Sequence, residues 1–200
     1  MNINEIAKLA GVSRATVSRY LNQGYVSEEK KKIIRKVIEE TGYQPSSQAQ
    51  MLRTKKTKLV GVILPKIDSN TISSEVEGIS DILTKQGYQL ILANTNNSTE
   101  EELKYLSLFR DNQVDGVIFI ATILTKQHKD MLKEYRVPIV LLGQHLEGYP
   151  CIYQDDYKAA MSLTEELVKS GKKFGYITVT DKDEAVGKKR LSGVEEVLKK

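Results

Sequence analysis

Four short apolar runs dominate the middle of this chain: LVGVIL at 59–64, YQLILAN at 88–94, VDGVIFI at 114–120 and PIVLLG at 138–143. They do not alternate apolar with polar, as a strand with one wet face would. Such runs suit strands buried on both faces, and in soluble proteins that means a parallel sheet covered by helices. The stretches between them, at about 72–86, 99–112 and 125–135, are amphipathic with helical spacing. Strand and helix in strict alternation predict an α/β doubly wound parallel sheet. A shorter strand CIYQ (151–154), a helix at 157–170, a strand FGYITV (174–179) and a helix at 187–200 complete the expected order. Ligands of such sheets bind beyond the carboxyl ends of the strands. Neither GxGxxG nor GxxxxGK[ST] occurs in the sequence, so nothing supports a nucleotide cofactor.

The first 58 residues are of another kind. They hold twelve Lys/Arg against five Asp/Glu, whereas residues 59–200 hold eighteen against twenty-one. A basic head on a mildly acidic body points to a polyanionic partner, with a merely solvated basic face as the plain alternative. The single cysteine, Cys151, excludes an internal disulfide and fits a reducing compartment. MNINEIAKLAGV lacks the marks of a secretory signal, and no apolar run approaches the roughly eighteen residues of a membrane span. A soluble, cytoplasmic protein with no membrane partner is expected.

The head itself predicts three short helices. Asn2 and Glu5 are spaced as a capping box ahead of Ile3, Ile6, Ala7, Leu9 and Ala10. Gly11 breaks that helix, Ser13 caps the next one (Arg14 to about Asn22), and Ser27 caps a third with Ile33, Ile34, Val37 and Ile38 as its apolar stripe. Gly42 and Pro45 stop it. Two helices joined through a glycine turn and packed on a third form a helix-turn-helix, whose second helix enters the DNA major groove by its first turn. That would explain why GVSRATVSRYLN carries so many hydrogen-bond donors between its apolar residues. Arg14 could read guanine edges and Ala15 a thymine methyl, while Ser13, Thr16, Ser18 and Arg19 face phosphates or bases. A small helical bundle with a polar surface is the competing interpretation.

INEIAKLAGVSRATVSRYLN followed by VSEEKKKIIRKVIEETGYQPS resembles the head of the lac repressor (LacI/GalR) family of bacterial transcription regulators. The resemblance implies that Arg14 and Ala15 are the main base-reading positions and that Arg19 also faces DNA. PSSQAQMLRTKKTK is similar to the family's hinge helix, which forms when two copies meet in the minor groove. Leu52 occupies the position of the family's intercalating leucine, and Arg53, Lys55, Lys56 and Lys58 would then lie near phosphates. Gln50 departs from the pattern, since many relatives have arginine there. Without the resemblance the stretch reads as a flexible linker. The implied division is a helix-turn-helix domain at 1–45, a hinge at 46–58, the first lobe of an effector domain resembling periplasmic sugar-binding proteins at 59–155, and the start of a second lobe at 156–200. By the family's length, the chain is expected to be truncated within that domain.

The same resemblance guides the effector site. PKIDSNTISS places Lys66 just past the first strand, and AVGKKRLSGV places Arg190 where relatives have a sugar-binding arginine. Together with QDDYKAA, these segments look most like sucrose- and trehalose-operon regulators. Two cations in one cleft would suit a sugar phosphate. The alternative leaves Lys66 solvated and pairs Arg190 with Asp155 or Asp183. Ser69, Asn70, Thr122 and Asp155 are further candidate contacts to the effector. His128 and His145 stand isolated, and neither metal nor cofactor is expected. The expected function is repression of a sugar-utilisation operon by a homodimer on double-stranded operator DNA, under a sugar or sugar-phosphate effector. The rivals are a transporter's sugar-binding protein without DNA function, and a Rossmann-type enzyme, which lacks its phosphate fingerprint and catalytic pair.

Overall fold

A computed structural model describes residues 1–44, 56–111, 114–171 and 173–199. It divides into two compact units, Met1–Thr57 and Lys58–Lys200. The expected hinge contacts Leu52, Arg53 and Lys55 lie outside the described residues.

The first unit contains α1 (Ile3–Leu9), α2 (Arg14–Leu21) and α3 (Glu28–Thr41). Asn2 and Glu5 form the capping box, with the Asn2 side chain accepting from the Asn4 and Glu5 amides and Glu5 accepting from the Asn2 amide. Gly11 takes a left-handed φ of 60°, which turns the chain sharply from α1 into α2. Ile6, Ala7, Ala10, Val17, Val26 and Ile34 make the core. Two expected core residues stand outside it: Leu9 is 58% exposed and Ile33 is 42% exposed. Each helix buries one stripe, centred on Ile6 and Ala7 in α1 and on Ile34 in α3, and these two residues fall outside it. Ser27 sits at the N-cap of α3, but its hydroxyl makes no capping bond, which leaves Glu28 and Glu29 as the favourable charges of that first turn. Gly42 ends α3 in the left-handed region, as its position after the last apolar residue suggests.

The second unit is built on β1 (Leu59–Leu64), α4 (Asn70–Lys85), β2 (Gln89–Asn94), α5 (Thr99–Asp111), β3 (Gly116–Ile120), α6 (Lys126–Lys133), β4 (Ile139–Leu142) and β5 (Cys151–Ile152). The strands form one parallel sheet in the order β2-β1-β3-β4-β5. Side chains of β1 alternate between faces: Val62 and Leu64 meet Ile72, Val76 and Ile79 of α4, while Ile63 joins Leu106, Phe109 and Leu132 of α5 and α6. Helices therefore cover both faces, as the unalternating apolar runs require.

Lys58 anchors the start of the sheet. Its amide donates to the Asp115 carboxylate at 3.0 Å, and its ammonium lies 4.2 Å from the Tyr88 ring centroid. The resemblance put this lysine near DNA phosphates; in the fold it is engaged by the α/β unit.

After the sheet come α7 (Asp156–Leu167), a π-helical turn (Glu184–Lys189) and α8 (Arg190–Leu198). FGYITV is not a strand. No described strand runs beside it to complete a ladder, and Ile177 remains 98% exposed.

One buried polar pair sits inside the sheet's core. Glu102 of α5 and His128 of α6 are 1% and 0% exposed, with Oε2 and Nε2 3.2 Å apart. The Thr125 amide and hydroxyl lie 3.3 and 2.7 Å from His128 Nδ1, while Nε2 faces Glu102 without a hydrogen bond of its own. The imidazole also stacks on Phe119 at a centroid distance of 5.8 Å. His128 is thus not isolated, as the sequence suggested; its partner is 26 residues away, within a run of three glutamates. Removing one member strands the other in a dry core. His128→Ala is expected to lower stability by about 3–5 kcal/mol in urea unfolding, and Glu102→Gln by less, because the glutamine leaves no buried carboxylate.

Candidate functional site

The head presents its candidate contacts on α2. Val17 is buried, and the residues before it are not: Ser13, Arg14 and Ala15 are exposed, as is Arg19, while Thr16 and Ser18 are half-buried. Ser13 Oγ accepts from the Thr16 amide at 3.2 Å, and the two hydroxyls are 2.9 Å apart. The cap thus fixes the first turn of α2 and leaves the Arg14 and Ala15 side chains outward. This is the geometry a groove-reading helix needs.

In the second unit a cavity of about 360 Å³ opens at the carboxyl edge of the sheet. One wall is the start of α4, with Thr71, Ile72 and Glu75; the floor is Ile120, Leu142 and their neighbours; the far wall carries Asp156, Val186 and Arg190. Arg190 Nε donates to Asp156 Oδ1 at 2.6 Å, and Asp156 is almost fully buried. Gly193 makes this pairing possible. A Cβ there would collide with the Tyr157 carbonyl and come within 3.1 Å of the Met161 amide, so α8 lies directly on the backbone of α7.

Of the expected effector residues, Arg190 lines this cavity and the others do not. Lys66 is exposed, with its ammonium 3.3 Å from Asp68. Ser69 is the N-cap of α4 and Asn70 its first residue. Thr122 lends its carbonyl to Gln144, whose amide also donates to Asp183 at 2.8 Å. Asp155 caps α7: the Lys158 amide donates to it at 3.1 Å and the Lys158 ammonium lies 3.1 Å away, which together hold its carboxyl below the usual range. The partner of Arg190 is therefore neither Asp155 nor Asp183 but the intervening acid, Asp156. Lys66 is not among the residues that line the cavity with Arg190.

Glu75 is the residue that sequence reasoning missed. It is half-buried, yet its Oε2 is shut off from solvent and has no hydrogen-bond partner, and burial raises its pKa. Only its place one turn into a helix that begins at Asn70 turns it toward the cavity. Among the described residues no cluster of His, Cys, Asp and Glu is arranged to hold a metal, and no helix is long and apolar enough to cross a membrane.

Residues 2–46 match the bacterial regulatory proteins of the lacI family, and residues 57–200 match the periplasmic binding proteins and sugar-binding domain of the LacI family. The chain belongs to the LacI family. Over 194 residues it is 36% identical to the sucrose operon repressor of Staphylococcus xylosus, covering 96% of this chain and 61% of the relative. The crystal structure of the transcription regulator CcpA of Lactococcus lactis superposes with a TM-score of 0.64 at 36% identity, covering 70% of this chain and 52% of that one. The transcriptional regulator CelR, solved as its cellobiose complex, gives a TM-score of 0.60 at 26% identity over 99% of this chain and 61% of the other. This LacI-family chain thus spans about 61% of the length of the curated relatives it matches.

The cap geometry of α2 yields a direct expectation. Ser13→Ala should destabilise the head by about 1 kcal/mol, read as a lower midpoint in thermal melting of its helical signal.

Proposed function

We propose that this chain carries the DNA-reading head and part of the effector domain of a transcriptional repressor of a sugar-utilisation operon. The observation that carries the reading is the outward Arg14–Ala15 pair at the capped first turn of α2, in a chain that goes on into a sugar-binding domain of the LacI family. The repressor name of the Staphylococcus xylosus relative and the cellobiose in the CelR structure support the operon and the effector class. A sugar-binding protein without DNA function would leave the exposed arginines of α2 without a task.

The working form is a cytoplasmic homodimer on a pseudo-palindromic operator, with one α2 per half-site. Arg14 reads a guanine edge, Ala15 meets a thymine methyl, and Ser13, Thr16, Ser18 and Arg19 hold the backbone or neighbouring bases. Leu52 wedges a base step, with Arg53 and Lys55 on the flanking phosphates. A sugar-type effector in the cavity bearing Arg190 shifts the lobes and releases the hinge contacts. Switching the population from mostly bound to mostly free takes a differential affinity of roughly 5 kcal/mol.

Selection of bound DNA from a random pool, followed by anisotropy titrations, tests this reading. Affinity for the selected site is expected to fall by about 10³–10⁵ between 50 and 200 mM salt if six to ten phosphates are contacted. Arg14→Ala should cost about 1–3 kcal/mol on that site and relax preference at one base pair, whereas Lys55→Ala should weaken all sequences alike. Recovery of no preferred sequence, or an unchanged preference in Arg14→Ala, would refute it.

A further inference from the structure

The turn that ends α2 contains a glycine whose backbone does not call for one. Asn22 is the C-cap of α2, and Gln23 after it takes a left-handed φ of 57°. The Gln23 amide donates to the Tyr20 carbonyl at 3.1 Å, and the Gly24 amide donates to the Arg19 carbonyl at 2.8 Å. This is the Schellman arrangement, in which the left-handed residue is usually glycine because a Cβ is strained there. Here glutamine takes that position, and the glycine stands one residue later, outside the left-handed region.

Conformational freedom therefore does not account for Gly24, and space does. A Cβ on it would lie 3.0 Å from Arg19 Cγ, 3.3 Å from the Arg19 carbonyl oxygen and 3.8 Å from Arg19 Cα. The turn folds back until its backbone meets the stem of this one side chain. Arg19 is exposed and follows Ala15 by four residues, so the two share a helix face, while Val17 is buried on another. A long side chain loses rotamer freedom when it docks on a partner, and that loss weakens binding. With Gly24 against its stem, Arg19 has given up part of that freedom before any DNA arrives.

We propose that Gly24 is a positioning residue for DNA binding: packed on the Arg19 stem, it holds one rotamer and aims the guanidinium from the outward face of α2. The proposal rests on the reading of α2 as the groove helix. It goes beyond that reading by naming a residue that acts on DNA only through Arg19.

A double-mutant cycle tests it, read by anisotropy with the purified protein on the DNA site selected from a random pool. Gly24→Ala is expected to weaken binding by about three- to tenfold. In an Arg19→Ala background the same change should have almost no effect, because the side chain that it displaces is gone. An equal loss in both backgrounds means that the glycine serves only the fold of the head, and overturns the proposal; so does the absence of any loss from Gly24→Ala alone. The free parent protein gives a second measurement that needs no variant to fold. An exposed helical arginine ordinarily samples two χ1 rotamers, whereas the side-chain scalar couplings of Arg19 should report one. Averaging over both overturns the proposal. Each of these outcomes leaves the DNA reading of α2 standing. Recovery of no preferred site from the pool removes that reading, and this proposal with it.

Discussion

Parallel pairing is the constraint on which the second unit depends. Strands that all run one way cannot be joined by tight turns; each must return through a crossover, here a helix. That fixes three things together. The helices fall on both faces, the inner strands β1, β3 and β4 are apolar and largely buried while the edge strand β2 leaves Ile91 and Leu92 exposed, and every strand opens its carboxyl end at the same edge. The cavity lies at that edge because the start of α4 and the π-helical turn before α8 meet there. Its chemistry is carried by helix starts and loops, and the strands supply the floor.

Much of this architecture was legible in the sequence, for a physical reason. A strand buried on both faces must be apolar at every position, and a helix on one face must not, so β1, β3, β4 and the helices between them declare themselves by composition and period; β2 reads the same way, yet it is the edge strand and largely exposed. The head was legible through its caps: Asn2 with Glu5, Ser13, Gly11 and Gly42 are each required by a local backbone geometry. FGYITV shows the limit. Its residues have strand character, but a strand exists only with a neighbour, and no neighbour is among the described residues.

The site was less legible because it depends on angles within a helix. Asp155 and Asp156 are adjacent and chemically identical. One residue of difference makes the first a cap turned to Lys158 and the second a buried partner of Arg190. Glu100, Glu101 and Glu102 are likewise consecutive, and only the third faces the core and His128. Glu75 sits in a polar stretch that resembles any solvated helix, and its partly buried place beside the cavity emerges only once α4 is placed over the sheet. Short-range pattern gives the elements; which acid of a run faces inward follows from the exact residue at which a helix starts.

Gly193 has a mechanical consequence. At Gly193, α8 rests on the Tyr157 carbonyl of α7, with no side chain between the two backbones. The salt link at one end and bare backbone contact in the middle join them into a single lever. A displacement of either helix at this point is therefore passed straight to the other, backbone to backbone.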